Sequence, residues 1–248
     1  VVWALLSLMA ITYVVFIPGS IDTPRIAPID YALTQVFVIA QYLRLIVWPS
    51  GQSFDHIQLI WPQIKVAYLL LSISLHVIIV GLAVVIRKNQ KMLAFGIGLF
   101  YTGLIMESSF IPLKDVMVEH RLYLSMLGVC VVFAWAIEKL LARGVSVKFI
   151  WVPLIALSMA CMSRNVDWSN KETLWAATLE THPNSARALY SLSQIRLEQK
   201  DTATSIQLLK QSIRSDKNHV PSLSALALHY LKVDRLIDAE NLLDEALY

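Results

Sequence analysis

The sequence is poor in charged residues and in cysteine. Only 16% of its 248 residues are charged, whereas about a quarter are charged in an ordinary soluble domain. The net charge of +3 is small and dispersed, which argues against a nucleic-acid-binding surface. Its two cysteines, Cys130 and Cys161, both lie inside apolar stretches. We therefore expect buried structural thiols rather than a redox or metal-binding pair.

A secretory signal is also lacking. Val1 opens directly into an apolar run, with neither an initiator methionine nor a basic segment before it. We therefore expect the sequence to be part of a longer protein.

The charges that are present are unevenly distributed. Residues 1–162 hold 11 Lys/Arg and 7 Asp/Glu, in short clusters between long apolar runs. Residues 163–248 hold 10 Lys/Arg and 11 Asp/Glu in about half that length. This shift predicts a membrane-embedded part followed by a part in water.

Several apolar runs are nearly free of charge, and most approach the ~20 residues that a helix needs to cross hydrocarbon. A mid-span histidine, His76, is expected to have a hydrogen-bonded packing role rather than to bind a ligand. The four clear spans are Val66–Ile86, Met92–Pro112, Leu122–Ala142 and Phe149–Ser163, and Val1–Ile17 is a fifth candidate.

The segment Tyr31–Trp48 is ambiguous. It carries Thr34, Gln35, Gln41 and Arg44, so it either spans the membrane or lies at the interface, half-buried among other helices. These polar positions favour the interfacial helix.

Basic clusters indicate the orientation. The clusters at residues 87–91 and 143–148 fall in short loops between spans, which should be cytoplasmic by the positive-inside rule. The last span then exits to the opposite side. We expect an integral membrane protein, in the bacterial inner membrane, with its C-terminal part in the periplasm.

The C-terminal part repeats itself with a period of 34 residues, which is typical of tetratricopeptide helix–turn–helix units. Such stacks usually bind peptides or proteins on a concave face. The recurring pairs are Leu192 and Leu226, Leu197 and Leu231, Leu208 and Leu242, Leu209 and Leu243, and Ile213 and Leu247.

The sequence therefore predicts an all-α protein in two parts. Residues 1–163 form a polytopic bundle of about five transmembrane helices with a possible interfacial helix at 31–48. Residues 164–248 form a tetratricopeptide-repeat α-solenoid, with a half repeat at 169–182 and full repeats at about 184–217 and 218–248.

The loop after Met92–Pro112 concentrates ionisable side chains beside a membrane segment. Such groups cost several kcal/mol at membrane depth unless they are paired or solvated, so they indicate a functional site. An arginine can hold a phosphate through two parallel hydrogen bonds. Interfacial ion pairs that fix a turn are an equally good interpretation. The residues are Glu107, Lys114, Asp115, Glu119, His120 and Arg121.

A second outward loop contains Asp55 and His56. The two side chains are suited to acid–base chemistry or metal binding, or they cap the segment that follows. A lone Asp-His pair is weak evidence for chemistry, so the structural role is favoured.

Several motifs together resemble a known family, the transmembrane and tetratricopeptide-repeat (TMTC-like) O-mannosyltransferases and their bacterial relatives, of the GT-C glycosyltransferase class. Ser125 stands where that family usually has proline. The motifs are Tyr31-Ala-Leu-Thr-Gln35, Gln41-Tyr-Leu-Arg-Leu45, Trp48-Pro49, Asp55-His56, Val118-Glu-His-Arg-Leu-Tyr-Leu-Ser-Met-Leu-Gly128, Arg164-Asn165, Trp168 and Leu174-Trp175.

The resemblance implies sugar transfer from a polyprenyl-phosphate donor to a protein acceptor on the non-cytoplasmic face, with membrane lipid and the acceptor as partners. No covalently bound cofactor and no metal ligands are implied. The acidic general base is expected outside this chain. Arg121 and His120 become candidates for binding the lipid phosphate, with Glu119 to orient them. Lys114, Asp115 and Arg44 are further candidates, and Asp55, His56 and Glu107 are weaker ones.

A protein of another class also fits the sequence. A membrane-anchored repeat scaffold that assembles an envelope or pilus complex needs only its repeat groove. Catalysis would require Glu119 and Arg121 to lie near a hydrophilic cavity.

Overall fold

The structure of the protein is a computed structural model that describes residues 26–56, 59–105, 108, 112–113 and 115–247. This part of the chain is all-helical and contains no β-strand, which confirms the predicted fold class. The predicted span Val1–Ile17 lies outside it. The helices are α1 (Pro28–Val47), α2 (Val66–Ile86), α3 (Lys91–Ile105), α4 (Leu122–Ala142), α5 (Lys148–Asp167), α6 (Lys171–Thr181), α7 (Ala186–Glu198), α8 (Thr202–Ser215), α9 (Val220–Lys232) and α10 (Leu236–Leu247), with a 3-10 turn at Glu119–Arg121.

The chain divides into two compact units. The first comprises Val1–Ser50 with Gln58–Ile150, and the second comprises Gly51–Ile57 with Trp151–Tyr248. A short piece of chain between α1 and α2 therefore belongs to the second unit. The predicted boundary after residue 163 marks where the chain leaves the membrane, and it stays a prediction.

Helix α1 supplies much of the core of the first unit. Its Val38, Tyr42 and Leu45 pack with Phe100 and Leu104 of α3 in one buried cluster. Two polar side chains of α1, those of Thr34 and Gln35, are also buried. Helix α1 is thus half-buried among other helices, and whether it crosses the membrane stays a prediction.

Helices α3 and α4 cross at backbone contact through glycines. A Cβ atom on Gly128 would lie 2.5 Å from the backbone nitrogen of Phe100, and one on Gly96 would lie 2.8 Å from the carbonyl oxygen of Gly128. A side chain of any size at either position would push the helices apart. Small residues at crossings let membrane helices gain packing energy that lipid cannot supply.

Three helices in the described part of the chain are long and apolar enough to cross a membrane. They are Val66–Ile86, Glu119–Ala142 and Lys148–Asp167, and they contain three of the predicted spans. Helix α3 is apolar and has 15 residues in the described part of the chain. Residues 106, 107 and 109–111 of the predicted span Met92–Pro112 lie outside the described residues, so the C-terminal bound of that span stays a prediction.

The expectation of buried cysteines is wrong. Cys130 in α4 and Cys161 in α5 are both exposed. A membrane-spanning helix turns much of its surface to lipid, so an apolar sequence neighbourhood does not imply a protein core. The prediction for His76 is confirmed: its Nδ1 lies 2.9 Å from the Tyr101 hydroxyl and its Nε2 lies 2.9 Å from the carbonyl oxygen of Val36.

The second unit contains helical hairpins, α7 with α8 and α9 with α10, related by the predicted 34-residue period. The turns inside the hairpins repeat too, since Lys200 and Asp234 both have left-handed backbones, with φ of 64° and 61°. This arrangement is compatible with a tetratricopeptide-like repeat region. Buried pairs at this spacing are Leu189 and Leu223, Leu192 and Leu226, Ser193 and Ala227, and Ser205 and Ala239.

We expect Gly128→Ala to lower the thermal stability of the chain in detergent or lipid. The added methyl group would meet backbone atoms of α3, which cannot move aside as a flexible side chain can. Overpacking of this kind costs about 1–3 kcal/mol. Thermal unfolding followed by helical circular dichroism measures the effect.

Gly98→Ala is the matched control, because a Cβ atom there would meet nothing within 4 Å. This variant should melt at or above the wild-type temperature. Equal losses in the two variants would contradict a glycine-mediated crossing.

Candidate functional site

The predicted site residues Glu119, His120 and Arg121 form the 3-10 turn that leads into α4. Val118 before the turn is extended, with φ −142° and ψ 136°. Glu119 and Arg121 are half-buried and His120 is exposed. The turn thus presents an acidic and two basic side chains at the start of a candidate membrane span.

Side chains of helix α1 form hydrogen bonds with the segment that precedes this turn. The hydroxyl of Tyr42 donates to the carbonyl oxygen of Val118 at 2.8 Å and accepts from its N–H at 3.0 Å. The side-chain amide of Gln35 donates to the carbonyl oxygen of Val116 at 2.9 Å. Both side chains are almost fully buried, and the Tyr42 hydroxyl supplies the acceptor that the buried N–H of Val118 needs in place of water.

Arg121 reaches back to the same backbone. Its Nη1 donates to the carbonyl oxygen of Val116 at 3.3 Å, so Gln35 and Arg121 share one acceptor. The buried Oε1 of Gln35 has no hydrogen-bond partner among the described residues.

The remaining residues predicted to bind the lipid phosphate lie outside the Glu119–Arg121 turn. Arg44 lies in the last turn of α1, where it donates to Gln41 Oε1 at 3.1 Å and to the carbonyl oxygen of Ser50 at 3.3 Å. These hydrogen bonds link the last turn of α1 to the residues that follow it. Asp115 is half-buried in the segment held by α1, whereas Glu107 and Lys114 lie outside the described residues.

The second predicted pair, Asp55 and His56, lies in the repeat unit. The hydroxyl of Ser185, the N-cap residue of α7, donates to Asp55 Oδ2 at 2.9 Å. Arg187 forms an ion pair with Asp55 at 3.5 Å. The carboxylate therefore sits beside a helix N-terminus, where negative charge is favourable. These contacts fit the structural role that the sequence favoured for Asp55. The helix that Asp55 contacts is α7, far along the chain, and not the segment directly after Asp55.

Aromatic side chains extend this contact. The ring of Phe54 packs edge-on against Trp168 at 5.6 Å and Trp175 at 5.1 Å between centroids. Trp175 precedes the buried Leu209 by one 34-residue period. In the predicted half repeat, α6 has no preceding repeat helix, so Phe54 supplies apolar cover at that position.

Three histidines surround the same region. The rings of His56 and His182 meet edge-on with centroids 5.6 Å apart, and His219 packs against Tyr190 at 5.7 Å. Burial lowers the pKa of His182, nearby His56 lowers it further, and Asp55 opposes both effects.

The pKa of His219 is also shifted. Burial lowers it most, Asp216 and then Asp55 act to raise it, and Arg187 adds to the lowering. Its Nδ1 lies 2.8 Å from the hydroxyl of the buried Ser222. The neutral ring is therefore the favoured form near neutral pH.

Sequence reasoning missed most of this constellation. Trp168 and Trp175 entered only as part of a family motif, and His182, Ser185 and Arg187 were not singled out. The available signal was the half repeat, whose unpaired helix needs a cover from elsewhere in the chain. Nothing local to residues 51–56 identifies them as that cover.

Comparisons with known proteins give distant relatives. The chain is similar to the protein O-mannosyl-transferase TMTC3 of Homo sapiens, with 22% identity over 135 residues, or 53% of this chain and 15% of that protein. It is also similar to the protein O-mannosyl-transferase Tmtc2 of Drosophila melanogaster, with 26% identity over 125 residues, or 48% of this chain and 12% of that protein.

These matches are partial, since the chain spans well under a fifth of the length of either relative. No protein-family model and no solved structure matches the chain. The comparisons therefore link it, at low identity, to TMTC-type protein O-mannosyl-transferases.

We expect Tyr42→Phe to loosen the segment that precedes the Glu119–Arg121 turn. The substitution leaves the N–H of Val118 without its acceptor and leaves the Val118 carbonyl oxygen with the backbone N–H of Arg121, at 3.3 Å, as donor. Such a loss costs about 1–3 kcal/mol. Amide hydrogen exchange of a peptide covering residues 115–121 should become faster, with little change in the repeat helices.

Tyr123→Phe is the control, because Tyr123 is 82% exposed. It removes the same hydroxyl group close to the turn and should leave exchange at the wild-type rate. If Tyr42→Phe also exchanges at that rate, the Tyr42 hydroxyl does not hold the segment.

Proposed function

We propose that this chain is part of a membrane glycosyltransferase that moves a sugar from a polyprenyl-phosphate donor to a protein acceptor. The similarity to proteins named protein O-mannosyl-transferases carries the proposal. It supports a glycosyltransferase-like function, and the names of these relatives point to a protein as the acceptor. The apolar helices fit an enzyme whose donor is anchored in lipid.

Arg121 is the residue through which this chain would bind the donor. A polyprenyl phosphate keeps its chain in the bilayer and its phosphate at the surface. Arg121 lies in the turn at the start of a candidate span, with His120 beside it. A guanidinium group matches the geometry of a phosphate and stabilises its charge.

Sugar transfer is a nucleophilic substitution at the anomeric carbon of the donor. The oxygen of an acceptor hydroxyl forms a bond to the anomeric carbon of the donor, and the bond from that carbon to the phosphate oxygen breaks. Negative charge grows on the departing polyprenyl phosphate, where Arg121 and His120 would stabilise it, while a base takes the hydroxyl proton. We assign the base to the rest of the protein, and Glu119 orients the basic pair.

The repeat unit would recruit the acceptor. Hairpins with a 34-residue period form extended surfaces suited to peptide binding. The basic loops between the predicted spans support a non-cytoplasmic location for these repeats, which in a bacterium would be the periplasm.

We expect Arg121→Ala in the full-length protein, expressed in its native membrane, to abolish glycan addition to its extracytoplasmic acceptors. Removal of a charged transition-state stabiliser typically costs 10²–10³-fold or about 3–4 kcal/mol. Intact-mass spectrometry of extracytoplasmic proteins measures the glycoforms, and immunoblotting checks the amount of enzyme.

Arg143→Ala is the matched control, since Arg143 follows the opposite end of α4. It should leave the glycoforms unchanged. If the wild type, the Arg121→Ala variant and a deletion strain show identical glycoforms, the glycosyltransferase proposal fails and a non-catalytic membrane-anchored scaffold takes its place.

A further inference from the structure

The contact between residues 51–56 and the repeat helices contains both permanent and titratable interactions. Phe54 contributes aromatic packing, and Asp55 contributes its bonds with Ser185 and Arg187. The aromatic packing of Phe54 does not depend on pH. The rings of His56 and His182 meet edge-on in the same contact, and an imidazole can change its charge near neutral pH.

We propose that this contact is a pH-sensitive clasp. Residues 51–56 stay docked on the repeat unit while His182 is neutral, and they detach as its imidazole, which meets the ring of His56 edge-on, takes up a proton. The clasp is independent of the proposed glycosyltransferase function and rests on the geometry of the repeat unit alone.

The geometry of the imidazole pair gives the reason for release. The two rings meet with centroids 5.6 Å apart, so two imidazolium ions would repel each other at this distance. The Nε2 of His182 is buried and has no hydrogen-bond partner among the described residues. A proton added at that nitrogen would therefore lack an acceptor while the segment stays docked.

Other charged groups around the pair do not remove this conflict. From the docked segment itself, Asp55 favours the protonated form of His182. Its carboxylate is already engaged by the Ser185 hydroxyl and by Arg187 of α7. From the start of α9, His219 adds a further titratable ring, which Asp216 and Asp55 favour in its charged form and Arg187 opposes.

The sign of the pH dependence follows from His182. Its pKa in the docked state lies below its ordinary value of 6.5, chiefly through burial. The released segment then binds a proton more readily than the docked one. The stabilisation from a neutral His182 is complete above pH 6.5 and is lost as the pH falls below that value toward the lowered pKa.

Amide hydrogen exchange of the full chain in lipid nanodiscs tests the clasp, with rates corrected for the intrinsic effect of pH on exchange. In the wild type, the peptide covering residues 51–56 should exchange several-fold faster at about pH 5.5 than at about pH 7.5. Peptides from α8 and α9 should keep their protection. Equal protection of residues 51–56 at both pH values would overturn the proposal, as would a parallel loss throughout the repeats.

His182→Phe separates titration from packing, because phenylalanine keeps a flat ring beside His56 and cannot take up a proton. This variant should hold residues 51–56 equally well at both pH values. His229→Phe removes another histidine of the repeat unit and should keep the wild-type response. The clasp is disproved if His182→Phe still releases the segment at low pH as the wild type does.

Discussion

The hydroxyl of Tyr42 is the interaction on which the candidate site depends most. It satisfies both backbone groups of Val118 inside an apolar cluster, where water is not available to do so. The order of Glu119, His120 and Arg121 in space follows from this bond, since the turn begins at the next residue. Helix α1 therefore contributes both to the core of the first unit and to the position of this turn. Its apolar face packs the core and its polar side chains position a loop.

The sequence was sufficient to predict features that depend on local periodicity. The 34-residue period identified the hairpins because the same packing requirement recurs at each repeat, as Leu192 and Leu226 illustrate. Three helices that are long and apolar enough to cross a membrane could be predicted, because a helix in lipid needs a long uncharged run. The ionisable cluster next to α4 was also visible as a break in that pattern. The hydrogen bonds from Gln35 and Tyr42 to the backbone of Val116 and Val118, just before that cluster, were not visible, since they join residues some 80 positions apart.

The wrong prediction for the cysteines arises because lipid and a protein core favour the same apolar side chains. An apolar stretch was taken to imply burial of Cys130 and Cys161, yet a lipid-facing position has the same composition as a core position. In α1, by contrast, the polar side chains of Thr34 and Gln35 are buried and make hydrogen bonds, and whether this helix crosses the membrane stays a prediction. Asp55 shows a third limit. Its partners Ser185 and Arg187 lie some 130 residues away, and no periodicity connects them.

Residues 51–56 make the repeat unit discontinuous in sequence. The chain enters that unit once between α1 and α2, leaves it, and returns only after Ile150. A C-terminal segment starting at α6 would therefore carry the hairpins without Phe54 and Asp55. A transfer of the C-terminal helices alone to another protein would therefore give an incomplete repeat unit. A complete transfer must also include residues 51–56, which the gene encodes between α1 and α2.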